Sequence, residues 1–256
     1  MMTITFLGTG TSCGVPVIGC QCEVCKSADP RDRRLRCSIL VETDQTRLLV
    51  DCGPDFREQI LPQPFRRIDG ILVTHAHYDH VGGMDDIRPY CQFGEINVYA
   101  DPLACKGMLQ MLPYCFAANR YPGVPAIGLN EIHAGEPLTI GDIDIMPVEV
   151  MHGKLPILGY RFGHFAYITD MKTIADNQAE LLCGVEVLVV NALRFDKPHH
   201  SHQLVDDAVA FARSVGAKRT LLTHMCHDVG LHTEANRRLP EGVELAYDGC
   251  ELRIEN

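Results

Sequence analysis

Apolar residues in this chain gather in short runs bounded by Gly, Pro or Asp, and long helical stripes are few. Such runs read as strands, and they predict them over Thr3–Leu7, Ser38–Thr43, Arg47–Val50, Gly70–Val73, Asn97–Tyr99, Ile143–Val150, Leu158–Phe162, Phe165–Ile168, Val185–Val190, Arg219–Leu222 and Glu244–Ala246. A period near 3.6 is clearest at Gln203–Val215, where Leu204, Ala208, Phe211 and Ala212 share one helical face. Asp101–Ala117 predicts a second helix, interrupted by Pro113. The stretch Pro113–Gly128 holds three Pro and two Gly beside Tyr114, Phe116 and Tyr121, and reads as a loop. Its aromatics either line a substrate pocket or cover the core beneath a long connection. Many strands, few helices and no Pro/Ser-rich linker favour one α/β or α+β domain of layered sheets over residues 1–256. No low-complexity segment or short-period repeat interrupts it.

Composition narrows the function classes. With 256 residues, 46% of them hydrophobic and 22% charged, the chain can bury a substantial core. Its net charge of −10 argues against a generic nucleic-acid binder, because affinity for phosphate backbones comes from concentrated Lys and Arg. No apolar run approaches the roughly 20 residues that span a bilayer, so no membrane partner is expected. The start MMTITFLGTG lacks the features of a signal peptide and reads as a first strand, which makes a cytoplasmic location the expectation. Twelve Cys in such a chain are metal ligands or small buried hydrophobes rather than disulfide staples. Cys91, Cys105, Cys115 and Cys183 sit among apolar residues and read as core or ordinary surface positions.

The decisive motif follows the apolar run Ile71–Val73: Thr74-His75-Ala76-His77-Tyr78-Asp79-His80-Val81-Gly82-Gly83. A strand end followed by a tight loop can aim closely spaced imidazoles and a carboxylate at one point, a donor set suited to first-row divalent metals. This H-x-H-x-D-H box resembles the signature of the metallo-β-lactamase superfamily. That resemblance implies a four-layer αββα sandwich with one or two metals at one edge of its paired sheets. It also implies further ligands, which the sequence supplies in order. Met151-His152-Gly153 follows the run Ile143–Val150, Asp170 ends Tyr167-Ile168-Thr169-Asp170, and His224 ends Leu221-Leu222-Thr223-His224. On the same resemblance His75, His77 and His152 bind one ion, Asp79, His80 and His224 bind the other, and Asp170 bridges them.

Leu7-Gly8-Thr9-Gly10-Thr11-Ser12-Cys13-Gly14 fails as a nucleotide loop, having neither G-x-G-x-x-G spacing nor a Lys-Ser/Thr pair. It is similar to the Leu-Gly-Thr-Gly opening of the superfamily's phosphodiesterases, including the tRNA 3′-processing nucleases. Asp51-Cys52-Gly53-Pro54 resembles the Asp-x-Gly turn whose Asp supports the metal ligands.

A second cluster lies within an N-terminal loop at about 13–37. Cys20-Gln21-Cys22-Glu23-Val24-Cys25 is one ligand short of a tetrahedral zinc site, and His227, three residues after His224, can complete a Cys3His set. A redox pair at Cys22 and Cys25 competes, weakened by the third Cys and by the lack of a thioredoxin-like βαβ context. The whole combination resembles the PhnP-like phosphodiesterases, which pair a two-metal site with a structural zinc held by Cys3His. In the segment Lys197-Pro198-His199-His200-Ser201-His202-Gln203, the resemblance implies a His that assists phosphoryl chemistry. His202 fits best by its place at the helix start, and His199 and His200 leave the register open. Arg194 and Lys197 are nearby in sequence and read as surface positions or as anion contacts.

The implied activity is a dinuclear metal-dependent phosphodiesterase acting on a small or cyclic phosphodiester, such as a ribose or nucleotide cyclic phosphate. Two divalent ions hold a bridging hydroxide, neutralise phosphate oxygens and stabilise the leaving alkoxide. Asp79 orients the nucleophile as well as ligating, and His202 donates a proton or contacts the phosphate. The ions are Mn, Zn, Ni or Fe, which ligand type alone does not separate. Two alternatives stand beside this reading: a tRNA 3′-processing endonuclease, which lacks a visible RNA-gripping arm here, and a non-catalytic metal-binding carrier. The acidic balance favours a small substrate over a stable nucleic-acid partner, and a homodimer is the default assembly.

Overall fold

In β8 (Ile143–His152) Ile143 and Ile145 are buried in one core while Asp144 between them is exposed, and Val148 and Val150, on the opposite face of the strand, are buried in another. The computed structural model describes residues 1–117, 119 and 121–255, so Ala118 and Arg120 of the loop expected at Pro113–Gly128 lie outside the described residues. Among the described residues fourteen strands form two seven-stranded sheets.

The first sheet has the order β14 (Glu251–Ile254), β1 (Met2–Gly8), β2 (Ser38–Glu42), β3 (Arg47–Val50), β4 (Gly70–Leu72), β5 (Ile96–Ala100), β6 (Ile127–Glu131). The second runs β13 (Val243–Leu245), β12 (Arg219–Thr223), β11 (Val187–Asn191), β10 (Phe165–Ile168), β9 (Leu155–Phe162), β8, β7 (Leu138–Ile140). In each sheet the pairs at one end are antiparallel and those at the other parallel. Helices flank both outer faces: α1 (Phe56–Ile60), α2 (Tyr78–Val81), α3 (Pro102–Met111) and α4 (Pro113–Phe116) beside the first sheet, and α5 (Asp176–Ala179), α6 (Val205–Ser214) and α7 (His232–Arg237) beside the second. This is the αββα sandwich that the resemblance implies.

Three cores hold the layers together. Phe6, Ile39, Val41, Leu48, Tyr160, Phe165 and Tyr167 lie between the sheets. The α6 side chains Val205, Ala208 and Ala212 pack on Leu188, Val190 and Leu222, and Cys105 and Met108 of α3 pack with Ile71, Val73 and Val98. Each fully buried Leu, Ile or Phe contributes about 1.5–3 kcal/mol of transfer free energy.

All eleven expected strands are present, β3 and β10 with the expected bounds and the others with shifted ends. Strand β9 starts at Leu155 because it pairs with β8 down to the His152↔Leu155 turn, and β11 starts at Val187. Three strands escaped the sequence reading: β6, β7 and β14. All three are edge strands, where one side lacks a partner and the apolar signal is short. The expected helix at Gln203–Val215 is α6, and Leu204 precedes it, its N–H donating to Asp207 Oδ2 at 3.1 Å. Pro113 does interrupt the other helix. Asp101 caps α3 by accepting from Ala104 N at 2.6 Å, and Pro113 opens the separate turn α4, so the loop expectation is corrected there and at Ile127, where β6 begins. Phe116 packs on the outer core, whereas Tyr121 is exposed and Tyr114 donates to Asp85 at 2.8 Å.

Candidate metal centre and its catalytic edge

The carboxyl ends of β3, β4, β8, β10 and β12 open onto one edge, and each is followed at once, or within a few residues, by a residue of the expected site. Asp51 follows β3, His75 comes just after β4, His152 ends β8, Asp170 follows β10, and His224 follows β12. Three of these, Asp51, Asp170 and His224, have φ of 61°, 58° and 56°. A non-glycine residue held in the left-handed region costs of order 1–3 kcal/mol and persists only where surrounding structure over-determines it. Here the kink turns each side chain out of its strand direction towards the shared edge.

The expected residues do converge. Four groups of donor atoms at this edge each lie within 4.8 Å of one another among the described residues: His75, His77 and His152; His75, His80 and Asp170; Asp79, His80 and His224; and His152, Asp170 and His202. His75 Nε2 is 2.8 Å from His77 Nδ1. Asp170 Oδ1 is 3.0 Å from His224 Nε2, and its Oδ2 is 3.3 Å from His80 Nε2, which places this carboxylate between the two sets. Asp79 Oδ2 lies 3.3 Å from His80 Nε2 and 3.8 Å from His224 Nε2. Nε2 of His80 and Nε2 of His224 are buried beside carboxylates yet make no aligned hydrogen bond, and His224 Nδ1 is buried with no hydrogen-bond partner, among the described residues. Buried polar atoms are costly unless partnered, and imidazole and carboxylate donors at these spacings fit first-row divalent ions. The protein's own residues therefore fit the metals that the fold implies.

Electrostatics follow from the crowding. Burial pushes His75 well below its ordinary value, and the same cause lowers His77. Burial would raise Asp170, but His224 and His80 outweigh it and hold the carboxyl well below the carboxylate range. Asp51 is raised by its burial, against the opposing pull of His80.

Threonines support the edge in a way the sequence reading did not single out. Thr74 Oγ1 donates to Asp51 Oδ2 at 2.9 Å, and Thr169 Oγ1 donates to Asp170 Oδ2 at 2.7 Å. Thr223 lies 3.3 Å from the Cys37 thiol. The signal was present: an apolar run, then Thr, then His or Asp, occurs at Thr74-His75, Thr169-Asp170 and Thr223-His224.

The His-rich segment also resolves. His202 is buried, with Nδ1 3.7 Å from Asp170 Oδ1, and its ring stacks on His224 at 4.7 Å. His199 stacks on the outer side of His202 at 4.8 Å, and His200 is exposed. Arg194 and Lys197 both pair with Asp228, at 3.4 and 3.2 Å.

The second cluster forms as well. The Sγ atoms of Cys20, Cys22 and Cys25 lie 3.3, 3.3 and 3.6 Å from His227 Nδ1. Backbone N–H groups point at the sulfurs, Val17 N to Cys25 and Cys25 N to Cys22, both at 3.4 Å. Such donation favours thiolates, and hydrogen bonds from Cys22 lower the Cys20 thiol. Two 3₁₀ turns, Val24–Lys26 and Pro30–Asp32, fold the loop, and Arg34 pins it to the body by donating to Thr9 Oγ1 at 2.9 Å and Ala246 O at 2.7 Å. Among the described residues no helix is long and apolar enough to cross a membrane.

Comparison with known proteins agrees with this geometry. A family model described as a beta-lactamase superfamily domain matches residues 46–225. A crystal structure of a diphosphatase from the PhnP family is 41% identical, with a TM-score of 0.91, and the match covers 100% of this chain and 98% of that one. Among curated proteins, an octanoyltransferase of Porphyromonas gingivalis is 42% identical over 99% of this chain and 52% of its own length. A ribonuclease Z of Bradyrhizobium diazoefficiens is 28% identical over 63% of this chain and 50% of its own. The chain thus spans about half the length of these curated relatives, and the octanoyltransferase name belongs to a protein nearly twice as long. The chain belongs to the beta-lactamase superfamily and, within it, to the PhnP family.

Proposed function

We propose that the protein is a metal-dependent phosphodiesterase that hydrolyses a small or cyclic phosphodiester, with His75, His77 and His152 holding one ion, Asp79, His80 and His224 a second, and Asp170 bridging them. The observation that carries this reading is the convergence of seven donors on one strand edge, with buried nitrogens of His80 and His224 that make no aligned hydrogen bond among the described residues. Likeness to a PhnP-family diphosphatase and to a ribonuclease Z supports hydrolysis at phosphorus. When bound, the two ions supply Lewis acidity at the phosphate oxygens and lower the pKa of coordinated water.

The chain's own groups do the rest. Asp79 orients the attacking oxygen. Burial first, then the charge that His224 carries in the metal-free chain, pushes His202 down to about 3. An anionic phosphate beside it favours the protonated form, so His202 takes up a proton from solvent as the substrate binds and donates it to the leaving oxygen. Cys20, Cys22, Cys25 and His227 hold a structural zinc. A tRNA substrate fits less well, because a net charge of −10 repels a long polyanion outside the metal centre.

A second reading shares the same site: the 41% identical neighbour is a diphosphatase, so the scissile bond here can be a phosphoric anhydride. The test is turnover of bis(p-nitrophenyl) phosphate, 2′,3′-cyclic nucleotides and nucleoside diphosphates with Mn2+, Zn2+ or Ni2+, alongside metal analysis. The reading expects ester turnover that Asp79→Ala abolishes, and about three ions per chain. Turnover of diphosphates alone selects the anhydride reading. Zinc in the Cys cluster alone, with no turnover, selects a carrier and overturns both.

A further inference from the structure

The loop from Leu193 to Gln203 is closed at its base by two backbone hydrogen bonds, Leu193 N to Gln203 O and Val205 N to Arg194 O, both at 3.0 Å. It carries three imidazoles, and two of them extend a column of rings into the metal edge. His199 stacks on His202 at 28°, His202 on His224 at 29°, and His224 on His80 at 7°. Ser201 N donates to His199 Nδ1 at 3.3 Å, which fixes the outer ring within the loop.

The other limb of this loop is fastened to the turn after β12. Asp228 Oδ2 lies 3.4 Å from Arg194 Nη1 and 3.2 Å from Lys197 Nζ. Arg194 Nε donates to Lys197 O at 2.9 Å, and Cys226 N donates to Leu193 O at 3.0 Å. Lys197 is held at a φ of 64°, a conformation that a non-glycine residue adopts only under constraint. The turn itself is held at both ends. His224 reaches the metal edge, and His227, three residues on, faces the sulfurs of Cys20, Cys22 and Cys25.

We propose that Asp228 is a positioning residue for His202, fastening the His-bearing loop to the turn that joins the Cys cluster to the metal edge. The proposal rests on the role given to His202 above. A single exposed ion pair contributes little to stability. Here one carboxylate takes two cations of the same loop, and the backbone bond from Cys226 sets the same register, so its effect falls on where the loop sits. The Cys cluster then acts on catalysis at a distance, by anchoring the turn to which Asp228 is attached.

The experiment uses the metal-loaded protein and the variants Asp228→Asn, Asp228→Glu and the double variant Arg194→Met/Lys197→Met. Asp228→Asn should lower kcat about tenfold, leave KM within about twofold and leave metal content unchanged. Asp228→Glu should recover part of the loss. Adding Asp228→Asn to the double cation variant should cost no more than either alone, since both remove one interaction. Amide hydrogen exchange supplies a readout that needs no substrate: Leu193, Ser201 and Cys226 should exchange faster in Asp228→Asn while β10 and β11 stay protected. Unchanged protection of those three amides sinks the proposal even where every substrate in the panel has failed. Faster exchange with unaltered kcat on a turned-over substrate, or a kcat loss that tracks loss of metal from the Cys cluster, overturns it too.

Discussion

Asp51 Oδ2 lies 2.7 Å from His80 Nδ1, and both side chains are fully buried. The carboxylate also accepts from Thr74 N at 2.8 Å, so its position is fixed by the strand edge and not by the imidazole alone. A carboxylate behind a ligating imidazole fixes the ring and raises its basicity, and loss of such a partner typically costs 10–100-fold in metal affinity. Asp51→Asn is therefore expected to weaken binding of the ion at Asp79, His80 and His224 by about that factor, roughly 10–100-fold, and to leave the Cys cluster loaded. Competition with a chelator of known affinity measures it. Equal affinities in wild type and variant would rule the role out.

Metal uptake should release protons. Burial alone would push His224 down, but Asp170 and Asp79 outweigh it and lift it to about 9, and His80 is raised by Asp51 and Asp170 despite its burial. At pH 7 the metal-free chain holds protons on both rings, and a ligating nitrogen must shed its proton. Affinity is thus expected to rise with pH through about 9, as His224 loses its proton. Titration calorimetry in two buffers of different ionisation enthalpy counts the protons released. A count of zero at pH 7 refutes this account of the site.

A methyl group at Gly53 would run into the backbone carbonyl of Asp79. The obstacle is main chain, which cannot swing aside. Gly53→Ala should cost about 1–3 kcal/mol in stability, as overpacked sites do, and should displace Asp79, lowering metal occupancy as well. Urea unfolding and metal analysis test the two consequences together; a variant of wild-type stability and full occupancy contradicts the close approach.

His232 gives the fold an acid-labile point outside both donor clusters. Its Nδ1 accepts from Arg34 Nη2 at 3.2 Å, and burial, with Arg34 and Arg31 nearby, pushes it from 6.5 down to about 4. Below pH 6.5 the unfolded chain takes up the proton before the folded one does. Stability present above pH 6.5 is therefore lost as pH falls towards about 4, by at most about 1.4 kcal/mol per pH unit. His232→Asn should flatten that slope. If unfolding at pH 7 and pH 5 shows the same loss in wild type and variant, another group governs the acid limb.

How much of this was legible in the sequence depended on the range of the interaction. Strands such as β2, β3 and β10 announce themselves because both faces are buried and every residue contributes to an apolar run. The edge strands β6, β7 and β14 do not, since half of their signal is spent facing solvent or a loop. The H-x-H-x-D-H box was readable because its ligands sit within six residues of one another. His152, Asp170 and His224 were found only through resemblance, although the Thr before Asp170 and His224 repeats the local pattern of Thr74-His75. The three left-handed residues at the strand ends were invisible, because L-residues adopt that conformation where tertiary contacts compel it.

The sequence by itself determined the layered α/β character, the H-x-H-x-D-H donor box and the Cys-rich cluster, since residue type and short-range spacing carry that information. Only the tertiary structure decided which imidazole of the His199, His200 and His202 trio reaches Asp170, and that Arg194 and Lys197 answer to Asp228. Those outcomes depend on how β10, β11 and β12 align in parallel and bring the ends of distant segments to one edge. That is a matter of long-range packing, which the spacing of residues along a chain does not encode.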